Sequence, residues 1–134
     1  MKAIEVSRLA GTSVHTIRYY ERIGLLKAPR SRSNGYHDFS PEHVGRLVFI
    51  RRARGMGLSL AEVRVLVACS AHGRSRCPQA CDIISRVLPA VEREIAELSA
   101  LRAGINRSVR TWRRLPGGLP SGKDVRQLMN SLSA

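Results

Sequence analysis

Four residues near the middle of the chain have the types and spacing of a metal site. Cys77 and Cys81 stand four residues apart, so a helix would place both thiols on one face. Cys69 and His72 closely precede them. Thiolates select soft ions such as Hg(II), Cu(I), Cd(II), Pb(II) or Zn(II), and a tetrahedral ion could take His72 as its fourth ligand. The cluster therefore predicts a site for a soft metal ion.

The same thiols also suit other chemistry. Three cysteines are an odd number, and the sequence shows no secretory signal pattern, which argues against a structural disulfide framework. Arg74 and Arg76 favour the thiolate form, which serves oxidation and reaction with electrophiles as well as metal binding. Cys69, near the end of an apolar stretch, could instead be a small buried side chain. On these residues alone, metal binding and thiol redox sensing both stay open.

A second group of residues suits the surface of double-stranded DNA. Ser13 is a good N-cap for a helix from Val14 to about Ile23, on which Val14 and Ile17 would face inward. The basic, aromatic and hydrogen-bonding residues fall on another side of this helix: His15, Arg18, Tyr19 and Arg22. Such side chains bind phosphates and base edges in DNA grooves.

The neighbours of this helix complete a helix-turn-helix. A short amphipathic helix is predicted over residues 4–10, and Gly11 supplies the tight turn between the two helices. Downstream, Asn34-Gly35 indicates a β-hairpin that would present Arg30, Arg32 and Tyr36 at its edge. Beside a helix-turn-helix, such a hairpin would be a wing that binds phosphates. The alternative is a polar loop without a role in DNA binding.

Two helices are predicted after the wing. Ser40 and Pro41 have the N-cap and first-position preferences of a helix start, and residues 55–57 end that helix. Ser59 starts the next helix, with Glu62 at the position of a capping box, and this helix frays near Cys69.

A long helix is predicted from Cys77-Pro78 to the Pro and Gly residues at 116–120. Pro89 either kinks this helix or marks its true start after a short helix through Cys81. Its apolar residues follow a 4-3 alternation, broken only by Arg102: Ile84, Leu88, Val91, Ile95, Leu98, Ile105, Val109 and Trp112. This is typical of a coiled-coil seam, whose economical partner is a second copy of the chain, either antiparallel or parallel. Residues 123–132 form one more short helix or stay loose.

Composition narrows the class of function. The chain has 134 residues with 23 Lys plus Arg against 10 Asp plus Glu, a formal charge of +13, and the basic residues are spread along it. A polyanion is the expected partner, and nucleic acid comes before a membrane because no long basic helix with bulky apolar residues is present. We find no catalytic triad, phosphate-binding glycine loop or paired carboxylates, so we expect no enzyme.

Taken in order, these motifs resemble the MerR family of transcription regulators. The resemblance is dense over residues 1–68, and the helix at 78–113 matches the family's dimerisation helix in position. The matching motifs are Glu5-Val6-Ser7-Arg8-Leu9-Ala10, Thr16-Ile17-Arg18-Tyr19-Tyr20-Glu21-Arg22, Gly24-Leu25-Leu26, Asn34-Gly35-Tyr36, Phe49-Ile50-Arg51-Arg52-Ala53-Arg54 and Gly57-Leu58-Ser59-Leu60.

The resemblance implies a mainly α fold, a winged helix-turn-helix followed by a long dimerisation helix that forms an antiparallel coiled coil. The domains would be 1–70 for DNA binding, 71–81 for the effector loop, 82–113 for the dimerisation helix and 114–134 for the C-terminal tail. It implies a cytoplasmic homodimer that binds a palindromic promoter, works with RNA polymerase and changes the DNA conformation when an effector binds.

The implied DNA contacts are Ser13, His15, Thr16, Arg18, Tyr19, Tyr20, Arg32 and Tyr36. For Tyr20 the alternative is a core position, packed on Leu25 or Leu26.

The resemblance also favours one effector. Cys77 matches the position at which the family's metal sensors place their first thiolate, so we expect a soft metal ion bound by Cys69, Cys77, Cys81 and His72. The chain departs from the family in having no cysteine in residues 113–134, which puts the usual two-subunit metal site in doubt. The alternatives are a thiol-redox or electrophile sensor of the same fold and, further off, a nonspecific architectural DNA-binding protein.

Overall fold

The computed structural model describes residues 1–28 and 38–131, which form two compact units, Met1–Leu88 and Pro89–Ala134. Helices make up the secondary structure of the described residues, which contain no strand. The first unit holds α1 (Ala3–Ala10), α2 (Val14–Arg22), α3 (Pro41–Gly55), α4 (Leu60–Ser70) and α5 (Ala80–Ser85). The second holds α6 (Leu88–Arg113) from its second residue onward, a 3₁₀ turn (Pro116–Gly118) and α7 (Gly122–Ser131). The predicted mainly α fold is confirmed.

Capping residues set the starts of these helices as predicted. The Ser59 hydroxyl accepts a hydrogen bond from Glu62 N at 3.1 Å, and Glu62 Oε1 accepts one from Ser59 N at 3.0 Å. At the start of α3, Ser40 N donates to His43 Nδ1 at 2.9 Å, and Pro41 occupies the first helical position. Each contact satisfies an amide that a helix N-terminus leaves without a partner.

Two apolar clusters form the core of the first unit. One joins α1, α2 and α3: Val6, Ala10, Ile17, Leu26, Phe39 and Leu47. The other joins α3, α4 and α5: Leu25, Ile50, Ala53, Leu58, Val63 and Ile83. Burying a large aliphatic side chain contributes about 1.5–3 kcal/mol, so both clusters hold the short helices, which are too short to be stable alone.

The long helix begins later than its hydrophobic pattern predicts. α5 is a separate short helix that ends at Ser85, and α6 begins at Leu88 with Pro89 as its second residue. Of the two alternatives for Pro89, the kinked helix from Cys77-Pro78 was wrong. The start at Pro89 is correct to one residue, and the short helix before it ends at Ser85 rather than at Cys81. A proline in the first turn removes no helical hydrogen bond, whereas one in the interior would.

The second unit presents apolar and charged residues along α6. Leu88, Ile95, Leu98 and Ile105 are 55%, 58%, 55% and 41% exposed in the isolated chain. After the 3₁₀ turn, α7 starts at a further cap in which Ser121 N donates to Asp124 Oδ2 at 2.8 Å. The hydrogen bonds from the Ser121 backbone and side chain lower the pKa of Asp124. Of the two possibilities for residues 123–132, the helix is therefore observed over Gly122–Ser131.

Candidate DNA-binding surface and cysteine loop

The start of α2 is fixed by its own first turn. Ser13 Oγ accepts a hydrogen bond from Thr16 N at 3.1 Å and donates one to Thr16 Oγ1 at 2.9 Å. Ser13 is the N-cap, as predicted, and it remains exposed. The two polar side chains at the beginning of the helix are thereby oriented by each other.

One face of α2 is open to solvent and carries the predicted DNA-binding groups. His15, Arg18 and Arg22 are exposed, and Tyr19 is 38% exposed. The guanidinium carbon of Arg22 lies 5.8 Å from the centre of the Tyr19 ring, close enough for a cation–π contact. Ile17, on the opposite side, is completely buried. The helix therefore presents a basic and aromatic face while its apolar side anchors it.

Tyr20 lies between the two apolar clusters rather than on the open face. Its half-buried ring packs against both clusters, which contain Leu25 and Leu26, and its centre is 6.0 Å from that of Tyr19. The core position proposed as the alternative for Tyr20 is therefore observed, and DNA contact by this residue stays a prediction.

The predicted wing falls outside the described residues. Arg32 and Tyr36, together with the Asn34-Gly35 turn, lie between Ala28 and Asp38, where the structure gives no description. At the downstream end, Phe39 N donates to the carbonyl of Met1 at 2.8 Å, and the Met1 amino group donates to the Phe39 carbonyl at 2.8 Å.

Two arginines bind the C-terminal ends of the two helices of the helix-turn-helix. Arg51 Nε donates to the carbonyl of Ala10, the last residue of α1, at 3.1 Å. An Arg64 terminal nitrogen donates to the carbonyl of Ile23, which caps α2, at 3.0 Å. Cations suit helix C-termini, where carbonyls lack partners and the helix dipole is negative. Each contact spans 41 residues, so local sequence carries no signal for it.

The cysteine loop contains a disulfide that the sequence did not predict. Cys69 and Cys77 form a disulfide with their Cα atoms 5.8 Å apart, closing a loop that contains His72. The odd cysteine count argued against a structural disulfide framework. One disulfide forms nevertheless, because the turns after α4 bring Cys77 back to the end of that helix. Cys81 is a free, exposed thiol on α5, with Sγ 3.8 Å from Ser85 Oγ.

The described residues are not arranged as a metal site. Among residues 1–28 and 38–131, no three His, Cys, Asp or Glu side chains are grouped closely enough to hold an ion. Two of the proposed sulfur ligands are bonded to each other, and a disulfide sulfur is not a thiolate donor. The donor types suit a soft ion, but this arrangement does not.

An ion pair joins α4 to the segment before α6. Arg86, which follows α5, pairs with Glu62 Oε2, while the other oxygen of Glu62 completes the cap at Ser59. The start of α4 is therefore connected to the two-residue segment, Arg86 and Val87, that lies between α5 and the long helix.

None of the described helices is long and apolar enough to cross a membrane.

Comparison with known proteins identifies the family of this helix-turn-helix. A family model described as MerR HTH family regulatory protein matches residues 1–68, and a second, described as MerR, DNA binding, matches residues 44–107. The chain belongs to the MerR family. As a MerR-family protein, it is a DNA-binding transcription regulator, which confirms the resemblance seen in its motifs.

Two MerR relatives match most of the chain. The HTH-type transcriptional regulator HmrR of Rhizobium leguminosarum bv. viciae is 39% identical over 98 residues, which are 73% of this chain and 75% of HmrR. The heavy metal-dependent transcription regulator 2 of Rhizobium meliloti is 34% identical over 84% of this chain and 72% of its own length.

Two solved MerR structures share the fold. PbrR691 from Ralstonia metallidurans CH34, solved in complex with lead(II), has a TM-score of 0.56 and 28% identity over 82% of this chain and 86% of its own. HiNmlR, a MerR-family regulator lacking the sensor domain and bound to promoter DNA, has a TM-score of 0.63 over 90% of this chain and 98% of its own. At 19% identity, HiNmlR supports the fold alone.

Proposed function

We propose that the protein is a homodimeric transcription regulator that binds a palindromic promoter and changes the DNA conformation when a soft metal ion binds its cysteine thiolates. The observation that carries the DNA-binding part is the open face of α2, with His15, Arg18 and Tyr19 exposed and Ile17 completely buried. The metal part is supported by relatives named for heavy metals or solved with lead(II).

In this proposal the α2 face enters the major groove. Arg18 pairs with a phosphate or with guanine, Tyr19 binds a phosphate oxygen, and His15 reaches a base edge. Ser13 and Thr16 orient the first turn, and Arg32 and Tyr36 add phosphate contacts from the wing. RNA polymerase at the promoter is the further proposed partner.

The second copy is proposed to pair with α6 in an antiparallel coiled coil. The apolar residues exposed on α6 in the isolated chain are the surface that such a pair would cover. The charges of the helix are also segregated along it. Residues 88–101 contain Glu92, Glu94 and Glu97 with one basic residue, whereas residues 102–113 contain four arginines and no acidic residue. Antiparallel pairing sets each acidic half beside a basic half, which is favourable.

The proposed metal ligands are Cys69, Cys77, Cys81 and His72, and the Cys69–Cys77 bond must be reduced before the first two can serve. Reduction yields two thiolates on neighbouring segments, with the third thiol four residues further along the chain. Thiolates select soft ions, so mercury, copper, cadmium, lead and zinc remain the expected set. The domain limits implied by the motifs, 1–70, 71–81, 82–113 and 114–134, are kept as part of this proposal.

A second candidate effector is favoured by a specific observation, the Cys69–Cys77 disulfide. In this version an oxidant converts two thiols into the disulfide, and the regulator responds to that change without a metal. The loop that the bond closes follows directly from α4, so its formation alters the end of a helix in the DNA-binding unit.

One titration tests the proposal. The fully reduced protein, prepared without oxygen, is mixed with Hg(II), and thiolate-to-metal absorption, bound metal and affinity for a selected operator duplex are measured together. We expect stoichiometric binding and a changed operator affinity in the wild type, with both reduced in C77S. An operator response to oxidation but not to Hg(II) would select the redox candidate. Equal affinity for the operator and a scrambled duplex would instead indicate an architectural DNA-binding protein.

A further inference from the structure

One helix of the DNA-binding unit makes three separate connections. Along α4, Glu62 pairs with Arg86, Arg64 binds the carbonyl of Ile23, and Cys69 bonds to Cys77. These three positions lie within about 10 Å along the helix axis, at 1.5 Å per residue. The same helix is therefore connected to the long helix's leading segment, to the end of α2, and to the cysteine loop.

The contact of Arg64 reaches the helix that carries the DNA-binding face. Its guanidinium donates to the Ile23 carbonyl, directly after the last residue of α2. Arg64 is itself exposed, so its side chain fills no core space and its removal leaves the two apolar clusters intact. Arg64 therefore influences the position of the C-terminal end of α2.

A change at the cysteine loop can reach Arg64 because Cys69, where the loop begins, lies on the same regular helix as Arg64. Residues 60–70 are continuously helical, and Val63 on the inner face is buried in the second cluster. A packed helix shifts as a unit rather than bending at each residue. When formation or loss of the Cys69–Cys77 bond displaces the end of α4, the Arg64 guanidinium and the Ile23 carbonyl must move together or separate.

We propose that α4 transmits the state of the cysteine loop to α2 and that Arg64 is the residue that positions α2 in this transmission. The inference rests on the proposed function, since it needs an operator response to the cysteines. Arg64 does not contact DNA in this proposal. It acts through the Ile23 carbonyl, and the Glu62–Arg86 pair holds the opposite end of α4 to the segment before α6.

The test compares R64M with a matched control, R46M. Methionine retains an unbranched apolar stem but removes the charge and the hydrogen-bond donors. Arg46 lies on α3 and lines the same cavity as Arg64 and Ile23, but the Ile23 carbonyl is bound by Arg64. For each full-length variant, operator affinity is measured with Cys69 and Cys77 oxidised, then reduced, then reduced with Hg(II). Thiol content and the thermal unfolding midpoint are recorded on the same samples.

Coupling between two sites in a protein typically changes affinity about 5- to 150-fold. We expect the operator affinity of the wild type and of R46M to change by such a factor between cysteine states. In R64M the affinities in these states should differ by no more than about twofold. Thiol oxidation and Hg(II) uptake should be the same in all three proteins. R64K, which still offers a donor to the Ile23 carbonyl, should recover part of the response. Recovery in R64K would show that the response depends on the hydrogen bond to the Ile23 carbonyl and not on a general loss of structure in R64M.

The failures of the two proposals are distinguishable. If the wild type shows no difference between its cysteine states, the proposed function is wrong and the inference falls with it. If the wild type responds and R64M responds equally, the function stands and the role of Arg64 is wrong. An equal loss of response in R46M would also overturn the assignment, because it would point to charge in the cavity rather than to the Ile23 contact.

Discussion

Arg51 on α3 donates a hydrogen bond from Nε to the carbonyl oxygen of Ala10, the last residue of α1, at 3.1 Å. Gly11 follows at φ 68°, and a Cβ at this position would lie 3.4 Å from Arg51 Nε. The turn between α1 and α2 is therefore held both by the conformation that glycine allows and by a side chain from a third helix.

A glycine-to-alanine substitution in this turn should lower the stability of the fold, whereas one at an open helical position should raise it. G11A places a side chain in the left-handed region, at a cost of about 1–2 kcal/mol, while the added Cβ makes only an ordinary contact with Arg51. G45A is the control, since Gly45 lies exposed within α3 and a Cβ there would meet open space. Alanine at this position should raise the free energy of unfolding by up to about 1 kcal/mol. Urea unfolding measures both, and a stable G11A would contradict the role given to the turn.

Removal of a basic group from the α2 face should weaken DNA binding without affecting folding. We expect R18A to lose about 1–3 kcal/mol of operator binding if Arg18 contacts a base, or to lower the salt-dependence slope by about 1 if it contacts a phosphate. R126A, on α7, removes the same charge far along the chain and should have little effect. Fluorescence anisotropy over a KCl series distinguishes the outcomes. Unchanged affinity and slope in R18A would show that another face of the protein meets DNA.

The disulfide predicts the number of reactive thiols. The oxidised protein should take up one alkylating group per chain, at the exposed Cys81, and the reduced protein should take up three. C81S should take up none until it is reduced. Mass spectrometry after alkylation under denaturing conditions counts the groups. Three modified cysteines in the oxidised sample would show that Cys69 and Cys77 are not bonded.

The charge segregation along α6 predicts which charge reversals weaken the dimer. The triple variant E92K/E94K/E97K should weaken the dimer about tenfold or more, and so should R102E/R107E/R110E. In each variant, attractive pairs across the dimer become repulsive, at a few tenths of a kcal/mol per pair. Combining both sets should restore it. Sedimentation at low salt measures the association. A parallel pair already sets like charges beside each other, so neither set alone would weaken it.

The cap of α7 predicts a response to acid. The pKa of Asp124 is lowered by its hydrogen bonds from Ser121, so its contribution to the stability of α7 is present above the unfolded pKa of about 3.9 and is lost as the pH falls through the lower folded value. The amide NMR signal of Ser121 should follow this titration, since it donates to the carboxylate. D124N removes the titrating group, and the same signal should then be insensitive over that range.

Much of the fold follows from local sequence. Ser13, Ser59 with Glu62, and Pro41 mark helix starts by short-range chemistry, and the structure places the corresponding helices where these residues predict. The exposed face of α2 was likewise predictable, because helical periodicity alone separates Ile17 from Arg18. The seam pattern was less reliable, because it continues across Arg86 and Val87, where α5 has ended and α6 has not yet begun.

The long-range contacts around α2 and the cysteine loop could not be predicted from local sequence. No local pattern marks Arg51 or Arg64 for these contacts, because the carbonyls that they bind lie 41 residues away and only the tertiary packing brings them near. The pairing of Cys69 with Cys77 also depends on the path of the turns between them. An odd cysteine count excludes complete pairing, but it does not exclude a single bond.

The bond between Cys69 and Cys77 closes a ring of backbone whose exposed stretch includes Arg74 and Arg76. A single cut by trypsin within that ring leaves the two halves of the chain covalently joined, whereas the same cut in the reduced protein releases two fragments. Limited proteolysis on a gel without reductant would therefore convert the oxidation state of one pair of sulfur atoms into a visible difference in size.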